Sequence, residues 1–223
     1  MRVLVTGNEA DHDCGFVGDA LRDLGASLVP LLREDHVGWP ALDGIDLVVS
    51  LGSSWSVYWH DVATSVKAEA ALLRTAHDRG TPILGICFGS QVLAHALGGS
   101  VERAPLPEIG WYGVTPLPVA DGLIDVGPWF QWHSDRWTAP DGAEVLAISP
   151  VGNQAFRIGR STAVQFHPEL NTLILDRWLD PIGRSEFAAL GLDADALCHQ
   201  TDREHDGARV RAAQFVDAVS RTW

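Results

Sequence analysis

Lysine occurs once in the 223 residues, at Lys67, so the 16 basic residues are otherwise arginine, set against 29 acidic ones. A formal net charge of −13 repels phosphate backbones and argues against a nucleic-acid-binding role. Cysteine is scarce too. Cys14, Cys87 and Cys198 are odd in number and far apart, which fits neither a disulfide framework nor a CxxC zinc site, so free thiols are expected and no metal is. Nowhere do about 18 uncharged apolar residues follow one another, which excludes a spanning helix. The opening "MRVLVTGNEA" carries too short an apolar stretch for a signal peptide, and a cytoplasmic location is expected. There is no internal repeat, no low-complexity tract and no G-x-x-x-x-G-K-[ST] phosphate loop.

What is present reads as an ordinary globular chain. Hydrophobic residues make up 46% and charged ones 20%, close to the norm, and the length suits one domain over residues 1–223 with a helical C-terminal extension from about 175. "RVLVT" (2–6), "ASLVPLL" (26–32) and "IDLVVSLG" (45–52) are short β-branched or apolar runs separated by crossover-length segments. Between the first two, "FVGDALRDLG" has helical spacing and a terminal glycine. "DVATSVKAEAALLRTAHDRG" (61–80) is an amphipathic helix with Asp61 as the expected N-cap and Gly80 past its end, leading into the buried strand "PILGI". Strands apolar on both faces and alternating with helices predict an open α/β fold: a mostly parallel, flavodoxin-like sheet covered on both sides. From about 101 to 166 short strands and turns take over, and antiparallel strands are expected to extend the sheet. After "QFHPE" the pattern is helical in "LNTLILDRWL" and "ARVRAAQFVDAVSRTW", while the acidic "DADALCHQTDREHDG" between them reads as a solvated connection.

The chemistry-bearing stretch is "LGICFGSQVLAHALGG" (84–99), where Cys87 stands between Gly85 and Gly89 at the end of an apolar run. Buried cysteine commonly fills core space, but strand, G-x-C-x-G turn and helix together match a nucleophile elbow. Glycines there allow close backbone approach while the nucleophile sits strained at a helix start. The partial positive charge of that helix end stabilises negative charge on sulfur. A thiol nucleophile needs an acid/base partner. Of nine histidines, His167 stands out: "STAVQFHPE" ends an apolar strand with His167, Pro168 and Glu169, and residues two apart on an extended segment point the same way, so Glu169 is placed to orient the imidazole.

G-x-C-x-G-x-Q followed 80 residues later by Q-F-H-P-E resembles the class I glutamine amidotransferases, and within them the free-standing proteins akin to the glutaminase domain of GMP synthase. "SLGSSWSVYWHD" (50–61), "PEIGWYGV" (107–114), "FQWHSD" (130–135) and "GNQAFRIG" (152–159) follow in the matching order. The likeness covers roughly residues 45–170, is looser over the first 44 and fades beyond about 175. It implies a triad of Cys87 as nucleophile, His167 as acid/base and Glu169 as the group holding its ring. The reaction would run through a γ-glutamyl thioester, without cofactor, with L-glutamine or a related γ-glutamyl amide as substrate. Gly52 after a parallel strand and Phe88 after the nucleophile are the candidate oxyanion amides. Gln91 falls where the family uses a glutamine near substrate, and His133 and Asp135 lie in a family motif at the site's mouth. Gln91 also reads as an exposed helix residue, and the latter two as loop supports. One departure stands out: Gly52, Ser53, Ser54 and Trp55 replace the second glycine and the proline often found in the family.

Elsewhere the signals are plainer. Cys14 and Cys198 lack an elbow and read as structural; His12, His36, His77, His95, His199 and His205 have no metal-ligand spacing. Trp55, Trp59, Trp111 and Trp132 suit either a pocket wall or the core. Three functions are compatible with the chain: a glutaminase supplying ammonia to a separate synthetase subunit, a stand-alone hydrolase of γ-glutamyl amine, peptide or thiol conjugates, or a non-catalytic binding or regulatory protein on the same fold. No contact with nucleic acid or membrane is expected.

Overall fold

The structure is a computed structural model that describes residues 1–223, the side chains of residues 181, 182 and 186 excepted. Strand β1 (Arg2–Gly7), helix α1 (Gly15–Asp23), β2 (Ser27–Leu32), β3 (Leu47–Ser50), α2 (Ala63–Asp78), β4 (Ile83–Ile86) and α3 (Phe88–Ala96) follow the alternation expected from the apolar runs. β5 (Ser100–Tyr112), β6 (Thr115–Pro116), β7 (Trp129–Thr138), β8 (Glu144–Ile148), β9 (Asn153–Ile158) and β10 (Ser161–Val164) come next, and α4 (Thr172–Trp178), α5 (Pro181–Ala189) and α6 (Ala194–Ser220) close the chain. The main sheet has the order β2-β1-β3-β4-β10-β9-β8-β6. β2, β1, β3, β4 and β10 run parallel, and β9, β8 and β6 continue the sheet by antiparallel pairing. The sheet is thus open, mostly parallel and flavodoxin-like with an antiparallel extension.

Each face of the sheet buries a separate cluster, which explains why the central strands are apolar throughout. Val3, Val5, Val49 and Ile86 pack against Val17 and Leu21 of α1 and Phe215, Val216 and Val219 of α6. Leu4, Val48 and Ile83 point the other way, onto Val66, Leu73 and Ala76 of α2 and Val92 and Leu93 of α3. A third cluster joins Phe16, Trp111 and Phe130 to Ile174, Leu175, Phe187 and Ala212 from α4, α5 and α6. It rests on a second, two-stranded antiparallel sheet of β5 and β7.

Three local expectations differ from the structure. Asp61 does not cap α2: it lies in a short 3₁₀ turn, His60–Val62, and the helix begins after Val62 without a side-chain cap. The acidic stretch 193–207 is no connection but the first half of the 27-residue α6, capped by the Asp193 carboxylate accepting from the Asp195 and Ala196 amides. Its polar face takes the charges while Leu197, Thr201 and Ala208 are buried. The long β5 pairs with β7 in its own ribbon instead of joining the main sheet. Among the described residues no helix is long and apolar enough to cross a membrane.

Candidate active site

The site forms where the parallel strands β3, β4 and β10 all end, the usual place for ligands in an open α/β sheet. The chain leaves β4 through Cys87 at φ 50°, ψ −110°, a left-handed conformation that strains any residue with a Cβ. The turn is held by the Cys87 amide donating to the Val164 carbonyl at 2.8 Å, and by the Ser90 hydroxyl and Gln91 amide donating to the Cys87 carbonyl at 2.6 and 3.1 Å. Gly89 is required because a Cβ there would sit 2.0 Å from the Ser50 carbonyl oxygen. The helix start therefore presses directly on β3, and the Gly89 amide donates to the Leu51 carbonyl at 3.1 Å. Cys87 is thereby fixed at the N-terminus of α3.

One strand over, β10 runs parallel to β4 and delivers His167 to the same level. Its backbone amide donates to the Phe130 carbonyl at 2.8 Å. The ring Nδ1 donates to Glu169 Oε1 at 2.7 Å, which leaves Nε2 as the nitrogen free to exchange a proton. Both side chains are almost fully buried, and Nε2 has no hydrogen-bond partner among the described residues. Burial alone would hold the imidazole below its ordinary value, but the negative charges of a Cys87 thiolate and of Glu169 outweigh it and raise it well above. Gly52 closes the gap on the third side: a Cβ there would lie 2.9 Å from His167 Cε1 and 3.7 Å from Cys87 Cβ. Phe88 is the first residue of α3, beside the thiol. Cys87, His167, Ser53, Ser54, Asn8, Asp11, Trp132, Trp178 and Gly183 line one cavity of about 250 Å³.

Gln91 is buried rather than exposed, and its Nε2 lies 3.5 Å from Gln165 Oε1. Gln165 Nε2 in turn lies 3.6 Å from Cys87 Sγ. Gln91 thus reaches the sulfur through Gln165, while its own Oε1 is unpartnered among the described residues. His133 and Asp135 stand on β7 with their polar atoms turned to the scaffold. Asp135 accepts from Ser56 Oγ at 2.5 Å and from Tyr58 OH at 2.8 Å. His133 has Nδ1 2.9 Å from the Asp135 carbonyl and Nε2 3.2 Å from Glu108 Oε2. Asp135 thus ties the 53–58 segment, which begins at the cavity wall, to β7, while His133 ties β7 to Glu108 of β5. Of the tryptophans singled out in the sequence, Trp132 lines the cavity, Trp55 packs on Phe88, Trp111 is buried with its indole donating to Thr201, and Trp59 is exposed.

Sequence reading missed several neighbours. Gln165 opens the Q-F-H-P-E motif, and nothing in that motif alone sets its side chain apart from its strand neighbours. Trp178, read as part of a helix, stands edge-on to the His167 ring at 4.9 Å, and its indole donates to the Asp11 carboxylate. Asp11 follows β1, so its place at a parallel-strand end was the available signal. Burial raises its carboxyl above the usual range; the Trp178 hydrogen bond opposes this and nearby Glu169 adds to it.

The open, mostly parallel sheet with its antiparallel extension is the flavodoxin-like fold of solved glutamine amidotransferases. The chain belongs to that family: the profile described as glutamine amidotransferase class-I matches residues 59–173, just over half its length. It is 35% identical over 186 residues to the GMP synthase [glutamine-hydrolyzing] of Aeropyrum pernix, covering 75% of this chain and 34% of that one. It is 40% identical over 130 residues to the enzyme of the same name from Mycolicibacterium paratuberculosis, covering 52% and 23%. The chain therefore spans about a third or less of these relatives, at 34% and 23%. Among solved structures it resembles a glutamine amidotransferase from Thermotoga maritima, with TM-score 0.87, 29% identity and coverage of 98% of this chain and 97% of that one.

Proposed function

We propose that the protein hydrolyses the side-chain amide of glutamine and supplies the ammonia to a separate synthetase subunit. Cys87 Sγ attacks the amide carbon while His167 Nε2 takes the thiol proton. The amides of Gly52 and Phe88 receive the developing oxyanion, each such donor contributing about 10²–10³ in rate in known cases. Collapse of the tetrahedral adduct breaks the C–N bond, His167 returns the proton to nitrogen, and ammonia leaves. Water, deprotonated by the same imidazole, then cleaves the thioester to glutamate and restores the thiol. Glu169 keeps the ring in the tautomer that each step needs. Asp135 serves substrate through the segment it braces, His133 by holding β7 behind it, and Gln91 through Gln165.

The observation that carries this reading is the shared cavity in which Cys87, held at a strained helix start, meets a His167 whose Nδ1 is tied to Glu169 at 2.7 Å. The relatives named as glutamine-hydrolyzing GMP synthases support glutamine as substrate and a synthetase as the recipient. A second reading, hydrolysis of γ-glutamyl amine, peptide or thiol conjugates, is favoured by the indoles of Trp132 and Trp178 beside the thiol, which offer an apolar wall to a leaving group larger than ammonia. Purified protein incubated with glutamine and a panel of γ-glutamyl conjugates separates the two by kcat/KM. In either case a diazo-ketone glutamine analogue adds mass at Cys87 and not at Cys14 or Cys198. Labelling at either of the latter contradicts the assignment.

A further inference from the structure

Beside the cavity lies a fully buried ion pair. Arg33, at the end of β2, and Glu69, on the apolar face of α2 between Val66 and Leu73, are both 0% exposed. Arg33 Nε donates to Glu69 Oε2 at 2.7 Å and Nη2 to Oε1 at 3.1 Å. The carboxylate is completed by Ser50 Oγ at 2.8 Å and by the Thr6 hydroxyl. The rest of the guanidinium is aimed at one loop: Nη2 donates to the Leu51 carbonyl at 2.7 Å, Nη1 to the Gly52 carbonyl at 2.9 Å and to Asn8 Oδ1 at 3.0 Å. Its carbon also sits 4.8 Å from the centroid of the Phe88 ring.

We propose that Arg33 is a positioning residue that aims the oxyanion-binding amides at the substrate. The Leu51 carbonyl and the Gly52 N–H belong to one planar trans peptide and point in opposite directions. Pulling the carbonyl down onto Nη2 turns the Gly52 N–H up, toward the space between Cys87 and His167. The fork on the Gly52 carbonyl does the same for the Ser53 N–H, and the stacked Phe88 ring fixes the second donor's residue. The planar guanidinium makes five donations at once, to both Glu69 oxygens, two carbonyls and Asn8 Oδ1, where an ammonium has three donors and no fixed plane. A buried ion pair adds little net stability over apolar residues of the same size, so its place here is explained by what it orients. This inference rests on the thioester reading above.

Arg33→Lys and the double variant Arg33→Met/Glu69→Met test it. Three quantities are compared with the parent: kcat and KM for glutamine, affinity for a γ-glutamyl aldehyde, and the rate of Cys87 alkylation by iodoacetamide. The aldehyde accepts the thiol to form a hemithioacetal, the S–C bond replacing the carbonyl π bond and the thiol proton passing to oxygen. Alkylation has no oxyanion. We expect kcat to fall about 10²-fold with KM unchanged, aldehyde affinity to fall by the same factor, and alkylation to stay at the parent rate. Parallel loss of alkylation, failure of both variants to fold, or hydrolysis at the parent rate in the double variant would each overturn the proposal. A parent protein that releases no ammonia and forms no hemithioacetal fails the thioester reading itself and takes the clamp with it.

Discussion

At the scale of single residues, the site is a set of groups whose charges hold one another in place. Glu169 is buried with one oxygen on the His167 ring, so Glu169→Gln removes the charge that favours the imidazolium formed during each proton transfer. A fall in kcat of about 10²–10⁴ is expected, read as ammonia release under saturating glutamine, with the folded state retained by circular dichroism. The raised imidazole also ties stability to pH. A group whose folded value lies above its unfolded value contributes stability that is fully present below the unfolded value, near pH 6.5, and is lost as pH rises through the folded one. The Glu169 carboxylate is one of the charges that raise His167. Urea unfolding of Glu169→Gln over neutral to alkaline pH is therefore expected to show a weaker loss of stability with rising pH than the parent.

At the scale of elements, placement depends on close backbone contact between α3 and β3. Gly89→Ala drives a methyl into the Ser50 carbonyl at 2.0 Å, and neither backbone can yield without moving Cys87. A loss of about 3 kcal/mol or more in denaturant stability is expected, together with loss of hydrolysis. The βα units were legible in the sequence, and so was the placing of Cys87 and His167 at neighbouring strand ends, because each is written in a short run: an apolar strand, then a glycine and a helix or, after β10, a histidine. What was not legible depends on distant partners. The β5–β7 ribbon pairs residues such as Glu102 and Arg136, and nothing local announces it. The first half of α6 was hidden by its acidic composition, because its buried Leu197, Thr201 and Ala208 are thinly spaced among charges. Glu69 did leave a trace, as a lone carboxylate in register with Val66, Leu73 and Ala76 on the buried face of α2.

At the scale of the whole molecule, three apolar clusters converge on the strand ends. The two faces of the sheet fix Cys87 and Gly52, while the third cluster backs His167 through Phe130, whose carbonyl takes the His167 amide and whose ring meets the imidazole edge-on at 6.2 Å. Leu175 is buried in that third cluster. Leu175→Ala should cost about 2–5 kcal/mol, measured by urea unfolding, with hydrolysis at low temperature impaired far less than by Glu169→Gln. The indole of Trp178, which packs on the same cluster, brings the C-terminal helices to the cavity wall.

The central claim is that the sulfur of Cys87 becomes covalently acylated by the γ-glutamyl group with His167 as its proton partner. Rapid acid quenching of the protein during turnover of glutamine, followed by peptide mass spectrometry, reads this directly. The account predicts a γ-glutamyl thioester on the peptide holding Cys87, absent from Cys87→Ser and strongly reduced in His167→Asn. Ammonia release at the parent rate from Cys87→Ser, or a γ-glutamyl adduct on Cys14 or Cys198 in its place, would contradict it.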